Sequence, residues 1–81
     1  MTVYYTYILF SHKLNQFYIG STENIDRRFI DHNTGRSKHT SKGMPWIIVF
    51  TKEFESRTEA VRLEIAIKKR GAARYLSDHQ K

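Results

Sequence analysis

The chain predicts a small α+β fold, a three-stranded antiparallel sheet flanked by helices. Three observations point there. The opening run VYYTYILF is dense in β-branched and aromatic residues, and a proline introduces a second such run, WIIVFTKEF. Asn24 and Ser56 each stand as a cap before a stretch of helical periodicity. Two strands, a helix, a loop, a strand and a helix make a two-layer domain.

Val3 to Phe10 reads as the first strand. Ser11-His12-Lys13-Leu14 supplies a loop, and Asn15 to Gly20 returns antiparallel. That loop pairs Phe10 with Asn15, Leu9 with Gln16, Ile8 with Phe17 and Tyr7 with Tyr18. Two phenols then face each other on one side of the sheet, with Cβ atoms about 4.5–5.5 Å apart. Asn24 caps a helix from Ile25 to about Asn33, and Gly35 stands near its end as a stop signal. At about 100° per residue, Ile25 and Phe29 mark the buried face, while Arg28 and His32 run along one edge of it. Arg27 points to solvent.

Residues 34–43, TGRSKHTSKG, are polar and basic and read as a loop or a short helical turn. After Pro45 comes the third strand. Ser56-Arg57-Thr58-Glu59 is a capping box, S-x-x-E, that opens a helix to about Arg70, before Gly71. The tail from Ala72 to Lys81 adds a short helix or frays.

Eighty-one residues hold one domain, with a core over about 3–70 and a tail over 71–81. No apolar stretch approaches the roughly 20 residues of a membrane span. The start lacks the basic region of a signal peptide. Cysteine is absent, which excludes disulfides and thiolate metal sites and leads us to expect a cytoplasmic setting. Fourteen Lys and Arg against eight acids leave a net charge of +6, which suits a polyanionic partner. The plainer reading of the charge is solubility.

On the second helix Ala60, Leu63 and Ile67 form the apolar stripe, and Glu64 falls inside it. A lone carboxylate facing a core is costly unless it is paired, hydrogen-bonded or bound to a metal. Two explanations stay open: an ion pair with Arg28 or another base, or a ligand for Mg²⁺ at the edge of a reaction site. Tyr7, Tyr18, Arg28, His32 and Glu64 together supply a candidate base, a phosphate ligand, a proton partner and a metal ligand. Phosphodiester hydrolysis needs those roles. Each also has a plainer reading: sheet aromatics for the tyrosines, a surface or capping residue for His32, a structural ion pair for Arg28. Arg36, Lys38 and Lys42 are either a solvated turn or a rim for phosphates. His12, His39 and His79 show no metal-ligand spacing and are expected to be exposed.

This constellation resembles the GIY-YIG nuclease family. The second motif stands unaltered as Tyr18-Ile19-Gly20, and the first is reduced to Tyr5-Thr6-Tyr7, in which the tyrosine matches and the spacing fits. Arg28 within RRFIDH matches the family's arginine, His32 follows four residues later, and Glu64 within RLEIAIKK matches the metal-binding glutamate. The likeness covers about residues 3–70. His32-Asn33-Thr34-Gly35, a basic loop ending at Thr40, and Pro45-Trp46 look like the branch of short, stand-alone bacterial members. The resemblance implies a single GIY-YIG domain with one divalent metal, Mg²⁺ or Mn²⁺, held by Glu64. It further implies hydrolysis of DNA in repair or processing, with Tyr7 or Tyr18 acting on the water. With Arg36, Lys38 and Lys42 on a polar loop, we expect DNA to be taken without regard to base sequence, branched or single-stranded forms included. The first motif's Gly-Ile is missing, no asparagine follows Glu64 as in some homing enzymes, and no accessory DNA-binding domain is expected. The rival reading is a nucleic-acid-binding module that keeps the fold without turnover. A third, a basic protein–protein adaptor, leaves the inward Glu64 unexplained.

Overall fold

The computed structural model describes residues 2–79. Its elements are β1 (Tyr4–Ser11), β2 (Gln16–Thr22), α1 (Ile25–Asn33), a 3₁₀ turn (Ser41–Gly43), β3 (Trp46–Phe54), α2 (Arg57–Arg70) and α3 (Ala72–Asp78). The three strands form one antiparallel sheet in the order β2-β1-β3, so β1, the most apolar strand, is central. The expected α+β class is the observed one. The tail forms a helix, and its last two expected residues, Gln80 and Lys81, lie outside the described residues.

The helix boundaries follow their caps. Asn24 Oδ1 accepts from the backbone N–H of Arg27 at 3.0 Å, which satisfies one of the free donors of the first turn. Ser56 Oγ accepts from the N–H of Glu59 at 3.3 Å and donates to the Glu59 carboxylate at 3.0 Å. The two capping-box side chains thus bond to each other. Gly71 ends α2 at φ +92°, a left-handed conformation that glycine adopts without strain, and its N–H donates to the Ile67 carbonyl at 2.8 Å. Among the described residues, no helix is long and apolar enough to cross a membrane.

The hairpin corrects the expected register. Tyr7 pairs with Gly20, Leu9 with Tyr18, Ile8 with Ile19 and Phe10 with Phe17, so Tyr7 and Tyr18 are not direct partners. The cause lies at the turn. Ser11 stays in the strand because its buried hydroxyl donates to the Gly43 carbonyl at 2.7 Å and accepts from the N–H of Leu14 at 3.1 Å. Asn15 then takes φ +53°, a left-handed conformation that asparagine tolerates, and closes the turn one residue later than expected. The register moves by two residues, and an even shift keeps every side chain on its face. The tyrosines therefore share a face as diagonal neighbours, with ring centroids 6.4 Å apart.

A bulge in β3 distributes its aromatics. Leu9 pairs with Ile48 and Ile8 with Phe50, leaving Val49 as the extra residue. Strict alternation would put Trp46 and Phe50 on one face. With the bulge, Trp46 packs with Tyr7 and Leu9 against Tyr18, Ile25, Phe29 and Met44. Phe50 instead joins Ile8, Ile67 and Ala72 on the opposite face, with Ile19, Leu63, Tyr75 and Leu76. So α1 and the loop after it cover one face, and α2 with α3 cover the other. Asn33 closes that loop: its side-chain amide donates to the Trp46 carbonyl at 2.9 Å and its oxygen accepts from the Trp46 N–H at 2.5 Å.

Candidate active site

Tyr7 sits on the central strand, fully buried, and its ring crosses the backbone of its partner in β2. A Cβ at Gly20 would lie 2.6 Å from the Tyr7 hydroxyl oxygen and 2.7 Å from Cζ. No side chain fits there, which is the physical reason for glycine at the end of Tyr18-Ile19-Gly20. The Tyr7 hydroxyl reaches His32 Nε2 at 3.1 Å, and His32 Nδ1 meets Thr40 Oγ1 at 2.7 Å. His32 is 1 % exposed, so it belongs inside the site rather than at the edge of a helix face or in a cap. The Tyr18 ring lies beside it at a tilt of 57°, with centroids 4.7 Å apart, and touches Trp46 edge-on at 6.3 Å.

Arg28 projects from α1 toward the same hydroxyl, while the side chain of its neighbour Arg27 is 64 % exposed, with its guanidinium 3.6 Å from Asp31. The helix geometry separates the two arginines as expected. Burial pushes the Tyr7 phenol above its ordinary value; Arg28 is the next influence and pulls it back, and the charges of Tyr18 and Glu64 push weakly upward. Burial wins. Arg28 approaches Tyr7 without completing a hydrogen bond of good geometry, and the phenol is the main influence that holds its guanidinium charged. Burial lowers His32, the Arg28 charge lowers it further, and Asp31 opposes both. His32 is therefore neutral at pH 7.

Glu64 comes from the other side of the sheet. Its side chain is 19 % exposed. One oxygen accepts from Ser21 Oγ at 2.7 Å, on edge strand β2, and the other faces Lys68 Nζ at 2.7 Å. Of the two explanations the sequence leaves open, the ion pair exists, but with Lys68 and not with Arg28. An i,i+4 pair of this kind contributes only about 0.3–0.5 kcal/mol, so Lys68, itself 55 % exposed, is easily displaced. Among the described residues no three His, Asp or Glu side chains cluster as a metal site.

Arg36, Lys38 and Lys42 are all exposed on the loop between α1 and β3. Arg36 lies 4.0 Å from Asp31. The Trp46 indole donates to the Thr40 carbonyl at 2.7 Å and ties this loop to the sheet. His12, His39 and His79 are exposed, as expected. A groove elsewhere, lined by Tyr4, Phe54, Glu53, Glu55 and Glu59, is acidic and repels a polyanion.

Sequence reasoning passed over Thr40, Ser21 and Lys68 as partners. Lys68 was accessible from its i,i+4 spacing to Glu64. The Ser21–Glu64 contact spans 43 positions and the Thr40 hydroxyl has no local signature, so no spacing rule reaches them.

Comparison with known proteins agrees with the fold. The family model described as the GIY-YIG catalytic domain matches residues 3–76. A UPF0213 protein of Staphylococcus haemolyticus is 38% identical over 69 residues, spanning 84% of this chain and 83% of its own length. Another, from Limosilactobacillus reuteri, is 37% identical and spans 94% of this chain and 84% of its own. The solution NMR structure of a UPF0213 protein from Bacillus halodurans is similar with a TM-score of 0.57 at 33% identity, covering 93% of this chain and 80% of that one.

Proposed function

Because the chain belongs to the GIY-YIG family, we propose that it is an endonuclease that hydrolyses DNA phosphodiester bonds with a divalent metal, in DNA repair or processing. The observation that carries this reading is the buried Tyr7–His32 contact of 3.1 Å beside the Arg28 guanidinium. A phenol raised above its usual value is a poor free base at pH 7. A relay removes that difficulty. As the attacking water gives a proton to the Tyr7 oxygen, the phenol's own proton passes to the neutral Nε2 of His32. Tyr7 is restored and His32 carries the charge. Arg28 contacts the non-bridging phosphate oxygens and meets the charge that grows there.

Glu64 fits the role of metal ligand. It is a hard carboxylate, and one of its oxygens already holds a cation, the Lys68 ammonium at 2.7 Å. With no second carboxylate beside it forming a metal cluster among the described residues, Glu64 would suit Mg²⁺ or Mn²⁺, ions that keep several waters when held by one carboxylate. When bound, the ion supplies positive charge to the phosphate.

Arg36, Lys38 and Lys42 are read as contacts to the DNA backbone. They sit on a loop, and α2 spends its apolar side on the core, so among the described residues no element is arranged to read base edges in a groove. Binding is expected to fall steeply with salt, with a log–log slope of roughly −0.7 to −0.9 per phosphate neutralised. Competition between unrelated duplexes should show less than about tenfold preference, roughly 1.4 kcal/mol. A panel of branched, single-stranded and duplex DNAs with Mg²⁺, Mn²⁺ or EDTA tests the whole reading. Cleavage that EDTA abolishes supports it. Binding without cleavage on every substrate favours the non-catalytic module.

Arg27→Ala and Arg28→Ala separate site from surface. Arg28→Ala should lower the single-turnover rate by about 10²-fold or more, the scale of one lost charge-stabilising donor. Arg27→Ala should at most weaken binding. Equal losses would remove Arg28 from the site.

A further inference from the structure

We propose that Thr40 is a positioning residue that fixes which nitrogen of His32 carries the proton: its hydroxyl accepts from Nδ1–H and leaves Nε2 open to the Tyr7 hydroxyl. The consequence for turnover rests on the cleavage reading above; the tautomer is a property of the folded chain itself.

Counting donors and acceptors leads there. Tyr7 is fully buried and its hydroxyl has one hydrogen-bond partner among the described residues, His32 Nε2 at 3.1 Å. Arg28, the other polar group beside it, has only donors to offer. The phenol proton must therefore go to Nε2, because a buried hydroxyl left without an acceptor costs about 1–3 kcal/mol. Nε2 is then unprotonated, and Nδ1 bears the hydrogen and needs an acceptor. Thr40 Oγ1 is 2.7 Å from Nδ1 and 2 % exposed, and its own hydrogen is directed at the Ser37 carbonyl at 3.4 Å. The chain of donation runs Tyr7 to His32 to Thr40 to Ser37, whose carbonyl also accepts from the Thr40 backbone N–H at 3.2 Å.

Thr40 does not stand on the helix that carries His32. It lies on the basic loop, held there by the Trp46 indole on its carbonyl at 2.7 Å. Arg36, Lys38 and Lys42 share that loop. The segment offered to phosphates thus also sets the proton acceptor behind Tyr7.

The test is ¹⁵N–¹H spectroscopy of the histidine ring nitrogens at neutral pH, with ¹⁵N-histidine incorporated into the whole chain. Wild-type His32 should show a protonated Nδ1 and a bare Nε2. Thr40→Val keeps the shape but offers Nδ1–H nothing, so Nε2 should shift toward the protonated form; Thr40→Ser should keep the wild-type pattern. Thr40→Ala removes the same acceptor with less bulk and replaces Thr40→Val should that variant not fold. On cleaved DNA, Thr40→Val should lower kcat about 10–100-fold with KM unchanged, the scale on which an orienting partner acts on a functional histidine, and Thr40→Ser should restore it. A wild-type His32 protonated at Nε2, or a pattern that Thr40→Val and Thr40→Ala leave unmoved, overturns the proposal. Expected spectra without cleavage of any DNA would defeat the nuclease reading and leave the positioning of His32 standing.

Discussion

Glu64→Gln is expected to give a folded protein that still binds DNA and has lost metal-dependent cleavage. The substitution keeps side-chain volume, and Ser21 Oγ, 2.7 Å from the carboxylate, can still donate to the amide oxygen. It removes the anionic ligand and the weak pairing with Lys68. A metal ion contributes several kcal/mol to a phosphoryl transition state. At tenfold per 1.36 kcal/mol, the cleavage rate should fall by about 10³-fold or more. Mn²⁺ binding, followed by calorimetry or electron paramagnetic resonance, should weaken in step. Undiminished cleavage would make Glu64 structural, with Ser21 and Lys68 as its whole purpose. A variant that does not fold would say the same more strongly.

Tyr7→Phe should lower single-turnover cleavage by about 10²–10⁴-fold, the range for loss of a proton-transfer group, and should lower thermal stability by several degrees while the protein stays folded. The ring remains over Gly20, and the hydroxyl's one hydrogen bond is worth about 0.5–1.5 kcal/mol net. Tyr18→Phe should do less, because Tyr18 meets His32 with its ring, while the two His32 nitrogens bond to Tyr7 and Thr40. A larger loss at Tyr18 than at Tyr7 would exchange their roles. The same contact sets a pH dependence. His32 is lowered by burial and by Arg28, with Asp31 opposing and Tyr7 and Thr40 bonded to its two nitrogens. Its neutral form, the proton acceptor, is therefore present at and above pH 6.5 and is lost only below that, as pH falls through its lowered value. The acid limb of the wild-type rate profile should lie below pH 6.5. A limb above it would mean that some other group titrates.

The elements were legible because their signals are local. Asn24, Ser56 and Gly71 mark helix ends within a few residues of where they act, and the runs around Ile8 and Val49 read as strands without their partners. The hairpin register was not legible, because it depends on Ser11 finding the Gly43 carbonyl, 32 positions away. The site divides the same way. Tyr7, Tyr18, Arg28 and His32 converge because strand pairing and one helix turn bring them to one face. The depth of His32 and the identities of Thr40 and Ser21 follow from the path of the loop and from α2 reaching the sheet edge. No periodicity contains that information.

The amide bridge from Asn33 to the Trp46 backbone fastens both ends of the intervening loop, whatever its middle contains. The stretch from Gly35 to His39 is then an exchangeable cassette on a closed stem. Lengthening a flexible loop costs only about 0.6 kcal/mol for each doubling, so new recognition segments can be grafted there while the tyrosine face stays as it is. Thr40, at the inner end of the stem, has to be kept with a carbonyl where Ser37 offers one, and so does Gly43, where a Cβ would run into the Trp46 ring. A small scaffold closed in this way can change the surface of its loop without rebuilding the tyrosine face.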